Sequence, residues 1–112
     1  MSDLASKKCL PCRAGTPPMT RDEAEKFLPQ VSGWELVEKE NGQLRIKRVF
    51  QLPDFKQAME LANKIADIAE QQDHHPVLNV SYGRLRVEIV SHIIKGLSES
   101  DFILAAKINK IE

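Results

Sequence analysis

Histidine, the side chain that most readily gives and takes protons near neutral pH, occurs three times in this 112-residue chain, always between residues 74 and 92. His74 and His75 stand side by side before Pro76, and His92 follows Ser91. Glu70 lies one helical turn before His74, and Asp101 comes shortly after His92. Imidazoles set in different surroundings beside carboxylates can divide the work of acid and base. The chemistry such a group suits is proton transfer. Taken singly, each residue also has an ordinary structural use. A histidine at a helix C-terminus caps carbonyls, and an aspartate in the first turn of a helix meets the macrodipole.

Two rival chemistries fit less well. Three imidazoles could hold zinc, but adjacent residues of an extended chain point to opposite sides. No H-x-H or H-x₃-H spacing occurs, so no metal is expected. Nothing resembles an activated serine or cysteine motif. Cys9 and Cys12 form a single Cys-x-x-Cys with no second pair. They read as two thiols in a loose N-terminal arm.

The elements that must position these residues follow from pattern. Residues 1–19, with Pro11, Gly15, Pro17 and Pro18, read as an extended arm. One domain spans 20–112. Thr20-Arg21-Asp22-Glu23 spells a capping box, and a short helix follows with Ala24, Phe27 and Leu28 buried. Asn41-Gly42 predicts a two-residue type I′ hairpin turn between strands at 34–39 and 44–51. Pro53-Asp54 opens the longest helix, with apolar residues from Phe55 to Ala69 at helical spacing. It ends near Gln72, because His75 precedes a proline and avoids helical angles.

Strands at 77–82 and 85–93 read most clearly. A tight turn on Gly83-Arg84 sets Leu78 opposite Ile89, Val80 opposite Val87 and His75 opposite His92. Ser98 reads as the cap of a final helix carrying Asp101 and Phe102. The expected fold is α+β: a four-stranded antiparallel sheet with three helices on one face, in the order α-β-β-α-β-β-α.

Composition excludes several function classes. Sixteen basic residues balance sixteen acidic ones, and no basic run supports nucleic-acid binding. No apolar run approaches the ~18 residues of a membrane span. The first residues lack the apolar stretch of a secretory leader, so the expected compartment is the cytoplasm.

The spacing Glu70-x₃-His74-His75-Pro76-x₅-Tyr82-x₉-His92-x₈-Asp101 resembles the signature of the pterin-4a-carbinolamine dehydratases, and the order of elements from Thr20 onward is similar to that family. The resemblance implies dehydration of 4a-hydroxytetrahydrobiopterin to the quinonoid dihydropterin, recycling the cofactor of an aromatic amino acid hydroxylase. It implies no cofactor and no metal. Carried over by position, His74 and His92 are the acid–base pair, and His75 binds and positions the pterin with a part in proton transfer. Asp101 supports His92 or the pocket wall, with Glu70, Ser91 and Pro76 in supporting places.

The chain departs from the animal pattern at Val77-Leu78, where many members carry an acidic residue and an aromatic. Ser91 stands in for a threonine and keeps the hydroxyl. Neither change removes an acid or a base. The resemblance further implies a homodimer or homotetramer. The alternatives are an interaction protein of the transcriptional-coactivator kind, or a pterin-binding relative in molybdopterin metabolism.

Overall fold

The computed structural model describes residues 4–9 and 16–111. Thr20 caps α1 (Arg21–Phe27) in a full capping box. Its Oγ1 accepts from the Glu23 N–H at 3.2 Å, and Glu23 Oε1 accepts from the Thr20 N–H at 2.9 Å. The two orphan amides at this helix start are thereby satisfied. Phe27 stacks on Phe102 with ring centroids 5.1 Å apart.

β1 (Glu35–Glu38) and β2 (Leu44–Gln51) form the first hairpin. The loop differs from the expected two-residue turn. Glu38 pairs with Leu44, the Lys39 N–H donates to Gln43 O at 2.8 Å, and the Gly42 N–H returns to Lys39 O at 2.8 Å. Glu40, Asn41 and Gly42 therefore make a three-residue loop. Only Gly42 needs positive φ, at 84°, as in a type I turn closed by a bulge.

Asp54 caps α2 (Phe55–Gln72) by accepting from the Gln57 N–H at 2.8 Å. Ala58, Leu61, Ala62, Ile65 and Ala69 make its buried stripe. β3 (Val77–Ser81) and β4 (Arg84–Ile89) form the second hairpin. Here the register is corrected by two residues: Leu78 faces Val87 and Val80 faces Leu85, so the loop is Tyr82-Gly83. A two-residue slip keeps every side chain on its face. The apolar face is therefore the expected one although the partners differ. Gly83 takes φ 70° at the second loop position, which L side chains adopt only with strain.

β4 also stops at Ile89, short of the expected 93. Ser91 and Gly96 instead bridge one another, N–H to O at 2.9 and 3.3 Å. His92 thus rides in a turn rather than across from His75.

The sheet order is β1-β2-β4-β3, antiparallel throughout. Ile46, Phe50, Leu85, Val87 and Ile89 face the helices and are buried. α3 (Glu99–Ile111) is buried over most of its circumference, including Phe102, Ile103, Leu104, Ala105 and Ile108. Such a helix needs cover on more than one side. The outer cover is a 3₁₀ turn at Leu4–Ser6, with Leu4 only 3% exposed. Lys107 Nζ donates to Ala5 O at 2.8 Å, and Lys7 pairs with Glu99 at 3.0 Å. Leu4→Ala should cost about 2–4 kcal/mol through the cavity it leaves, read as a lowered urea midpoint.

The arm then crosses the α2 exit. The Cys9 N–H donates to Gln72 Oε1 at 3.0 Å, and its Sγ contacts Ser100 O at 3.5 Å. Cys12 lies outside the described residues.

Gly96 is the tightest point near the histidines. A Cβ there would stand 2.5 Å from Pro18 Cβ, and a proline ring cannot swing away. Gly96→Ala should destabilise by about 1–3 kcal/mol in chemical denaturation. It should also loosen the turn that carries His92.

Candidate active site

The site is built where α2 ends. Asp73 adopts the left-handed conformation (φ 52°, ψ 43°). The His74 N–H reaches back to Ala69 O at 3.1 Å, and the Asp73 N–H to Glu70 O at 3.3 Å. These two bonds define a Schellman C-cap. The reversal turns consecutive residues to different neighbours: His74 meets α3, while His75 turns back to α2.

His74 Nε2 donates to Asp101 Oδ1 at 2.7 Å, with the His74 side chain 13% exposed and Asp101 fully buried. His75 Nε2 donates to Glu70 Oε2 at 2.6 Å, with both side chains open to solvent. Glu70, one helical turn before His74, pairs instead with His75. The resemblance gives Asp101 to His92 or the pocket wall; its imidazole partner in the structure is His74. The exposed pair holds little energy, since screening and side-chain entropy offset the attraction. A His75/Glu70 double-mutant cycle should give a stability coupling below about 1 kcal/mol.

Asp101 is held from several directions. Its Oδ2 accepts from Ser91 Oγ at 2.8 Å, from the Ser98 N–H at 2.7 Å and from Ser98 Oγ at 3.3 Å. The Ser98 contact is half of a capping box, in which the acid at the third helical position serves the residue before the helix. Ser98 stands at the cap position read from the sequence, and the Asp101 carboxylate serves its N–H. The spacing Ser98-x-x-Asp101 was the available signal for that network. A buried carboxyl group with this many donors is fixed in place.

Because a carboxylate accepts, His74 Nε2 carries the hydrogen. Nδ1 is then the ring atom left to exchange a proton. Ser91 ties the third histidine to the group: its hydroxyl bonds Asp101, and the next residue is His92, exposed at the start of the 92–95 turn. The Lys95 N–H closes that turn on His92 O at 3.2 Å, with Lys95 at φ 56°. Pro76, half-buried, leads the chain into β3. Among the described residues no group of three His, Cys, Asp or Glu side chains is placed to hold a metal ion.

A groove of about 360 Å³ lies between β2 and α2, lined by residues that include Arg48, Phe50, Gln57 and Lys64. No histidine borders it, and it brings together no acid–base set like that at the α2 exit. Proton-transfer groups, not volume, mark the site.

The family described as pterin 4 alpha carbinolamine dehydratase matches residues 17–111. The chain belongs to that family. A Rickettsia bellii relative, provisionally named a pterin-4-alpha-carbinolamine dehydratase, is 49% identical over 97% of this chain and 94% of its own length. A Rubrobacter xylanophilus relative with the same provisional name is 38% identical, over 99% of this chain and all of its own. A crystal structure from Brucella melitensis, titled a transcriptional coactivator/pterin dehydratase, superposes with a TM-score of 0.75. It is 33% identical and covers 84% of this chain and 97% of its own. The α+β fold of this dehydratase family is thus shared. No helix among the described residues is long and apolar enough to cross a membrane.

Proposed function

We propose that the chain dehydrates a pterin-4a-carbinolamine, with 4a-hydroxytetrahydrobiopterin as the representative substrate. The reaction breaks the C4a–O bond. A proton must reach the departing hydroxyl, and the N5–H electron pair becomes the C4a=N5 bond as its proton leaves. One proton is added and one removed, so neither a redox centre nor a metal is needed. The quinonoid dihydropterin formed is the species that a reductase would return to the hydroxylase cofactor.

The observation that carries this reading is the His74–Asp101 hydrogen bond at 2.7 Å. It orients one imidazole on a buried carboxyl group and leaves Nδ1 for proton exchange. His92, on the adjoining turn, is the second proton-transfer group. His75, aligned by Glu70, positions the ring system. Ser91 and Asp101 set the turn and the helix start, and Pro76 holds the chain extended after the pair. His92→Ala should lower the dehydration rate about 10²-fold or more. Its exposure predicts a stability change within about 0.5 kcal/mol. A rate equal to wild type would remove His92 from the reaction.

The family resemblance also implies assembly. β3 is an outer strand of the sheet with Val77 41% exposed, and α2 presents Phe55 and Met59 to solvent. Unpaired edges and apolar strips of this kind suit a second copy of the chain. Sedimentation should give a dimer or tetramer; a strict monomer would count against it. The dual title of the Brucella structure makes a protein-binding role the second reading. That reading would prevail if a specific protein partner bound while pterin turnover was absent. A place between a hydroxylase and a reductase suits a cytoplasmic enzyme.

A further inference from the structure

The face of the sheet away from the helices carries a feature that pterin dehydration does not use. Residues two apart in a strand share a face, so Arg84 and Arg86 stand side by side on β4, about 7 Å apart. Across the ladder Asn79 pairs with Arg86 and Ser81 with Arg84. These four side chains line a depression of about 130 Å³. All four are hydrogen-bond donors. No hydrogen bond or ion pair to another described residue engages the side chains of Arg84, Asn79 or Ser81.

Arg86 has one acidic neighbour. Its Nε lies 3.9 Å from Glu88 Oε2, but Glu88 is already closer to Arg45, at 3.3 Å, and Lys39, at 3.6 Å. The carboxylate is thus shared among three cations and leaves both arginines short of negative charge. Lys47 stands on the same face, in register with Glu88 on one side and Glu35 on the other, so five cations (Lys39, Arg45, Lys47, Arg84 and Arg86) share this face with two carboxylates. The whole chain is neutral, so this excess of positive charge is local. The even spacing of Arg45 with Lys47 and of Arg84 with Arg86 in the sequence becomes a basic face only when β2 and β4 pair.

We infer that the Asn79, Ser81, Arg84 and Arg86 depression is a binding site for a phosphate group, either inorganic phosphate or the phosphomonoester of a small metabolite. Two planar guanidinium forks match phosphate oxygens, and the serine and asparagine supply neutral donors beside them. The site lies near the Tyr82-Gly83 end of the hairpin. His75 precedes Asn79 by four residues, about 13 Å of extended chain. A phosphate here therefore occupies a place separate from the histidines.

The test is a ¹⁵N NMR titration of the full chain with inorganic phosphate and, separately, adenosine 5′-monophosphate, each against chloride at matched ionic strength. Both phosphates should give saturable shifts at Asn79, Ser81, Arg84 and Arg86, with a dissociation constant on the order of millimolar. Equal affinity assigns recognition to the phosphate alone; at least about tenfold tighter binding of the nucleotide assigns it to a phosphomonoester. Arg84→Ala with Arg86→Ala should abolish saturation and leave the dehydration rate unchanged. Arg84→Lys with Arg86→Lys keeps the charge but loses the fork, and should weaken binding about tenfold. Shifts that do not saturate, that chloride reproduces, or that survive in the lysine variant at wild-type strength would overturn the site.

Discussion

Replacing His74 by glutamine should lower the dehydration rate about 10²–10⁴-fold, the range that a positioned acid–base group supplies, while the protein stays folded. Glutamine can offer an N–H to Asp101 much as the imidazole does, so the buried carboxylate at 2.7 Å keeps a donor. It cannot move a proton near neutral pH. Stability should therefore change by less than about 1 kcal/mol. The paired measurements are the rate with freshly generated 4a-hydroxytetrahydropterin and the urea unfolding curve. A rate within about threefold of wild type would place the ring outside the reaction. A collapsed unfolding curve would make its role structural.

Asp101 should separate the two functions in the opposite way. Asp101→Ala removes the acceptor shared by His74, Ser91 and Ser98. It takes away a helix cap worth about 1 kcal/mol and strands buried donors at about 1–3 kcal/mol. A total loss of about 2–4 kcal/mol is expected, visible as an early unfolding midpoint. Asp101→Asn is the sharper probe. Its single amide oxygen can still serve the Ser98 N–H and Ser91, which keeps the cap. Its NH₂ then faces His74 Nε2 and forces the opposite tautomer, with the hydrogen on Nδ1. Turnover should fall about 10–10³-fold with most of the stability retained, by analogy with carboxylate-oriented imidazoles elsewhere. Equal activity in Asp101→Asn and wild type would mean that the tautomer does not matter.

The sequence disclosed the elements more fully than their joints. Thr20 and Glu23 formed the capping box their spacing spells. Of the expected α2 stripe, Ala58, Ala62, Ile65 and Ala69 are buried with Leu61, whereas Phe55 and Met59 stand open to solvent. The second hairpin shows where pattern runs out. Leu78, Val80, Leu85 and Val87 share a face in either of two registers, because a shift of two residues preserves every orientation. Only the loop decides, and Gly83 takes the second loop position, not the first.

The histidine pairings were hidden for a related reason. Which way His74 and His75 turn depends on the left-handed backbone of Asp73, one residue beyond the reach of helical periodicity. The sequence marked His74 and Asp101 as members of one set, and Ser98 only as the cap of the last helix. It could not say that Asp101 would serve His74 while capping α3. The basic face stayed hidden as well, since Arg45 and Arg86 are far apart in the chain and converge on Glu88 only through the β2–β4 ladder.

The most direct test is the decay of a freshly generated pterin-4a-carbinolamine followed by absorbance with the purified full chain. Histidine-driven dehydration predicts first-order decay accelerated in proportion to protein concentration, with quinonoid dihydropterin as the product. Decay at the protein-free rate across all protein concentrations would contradict it.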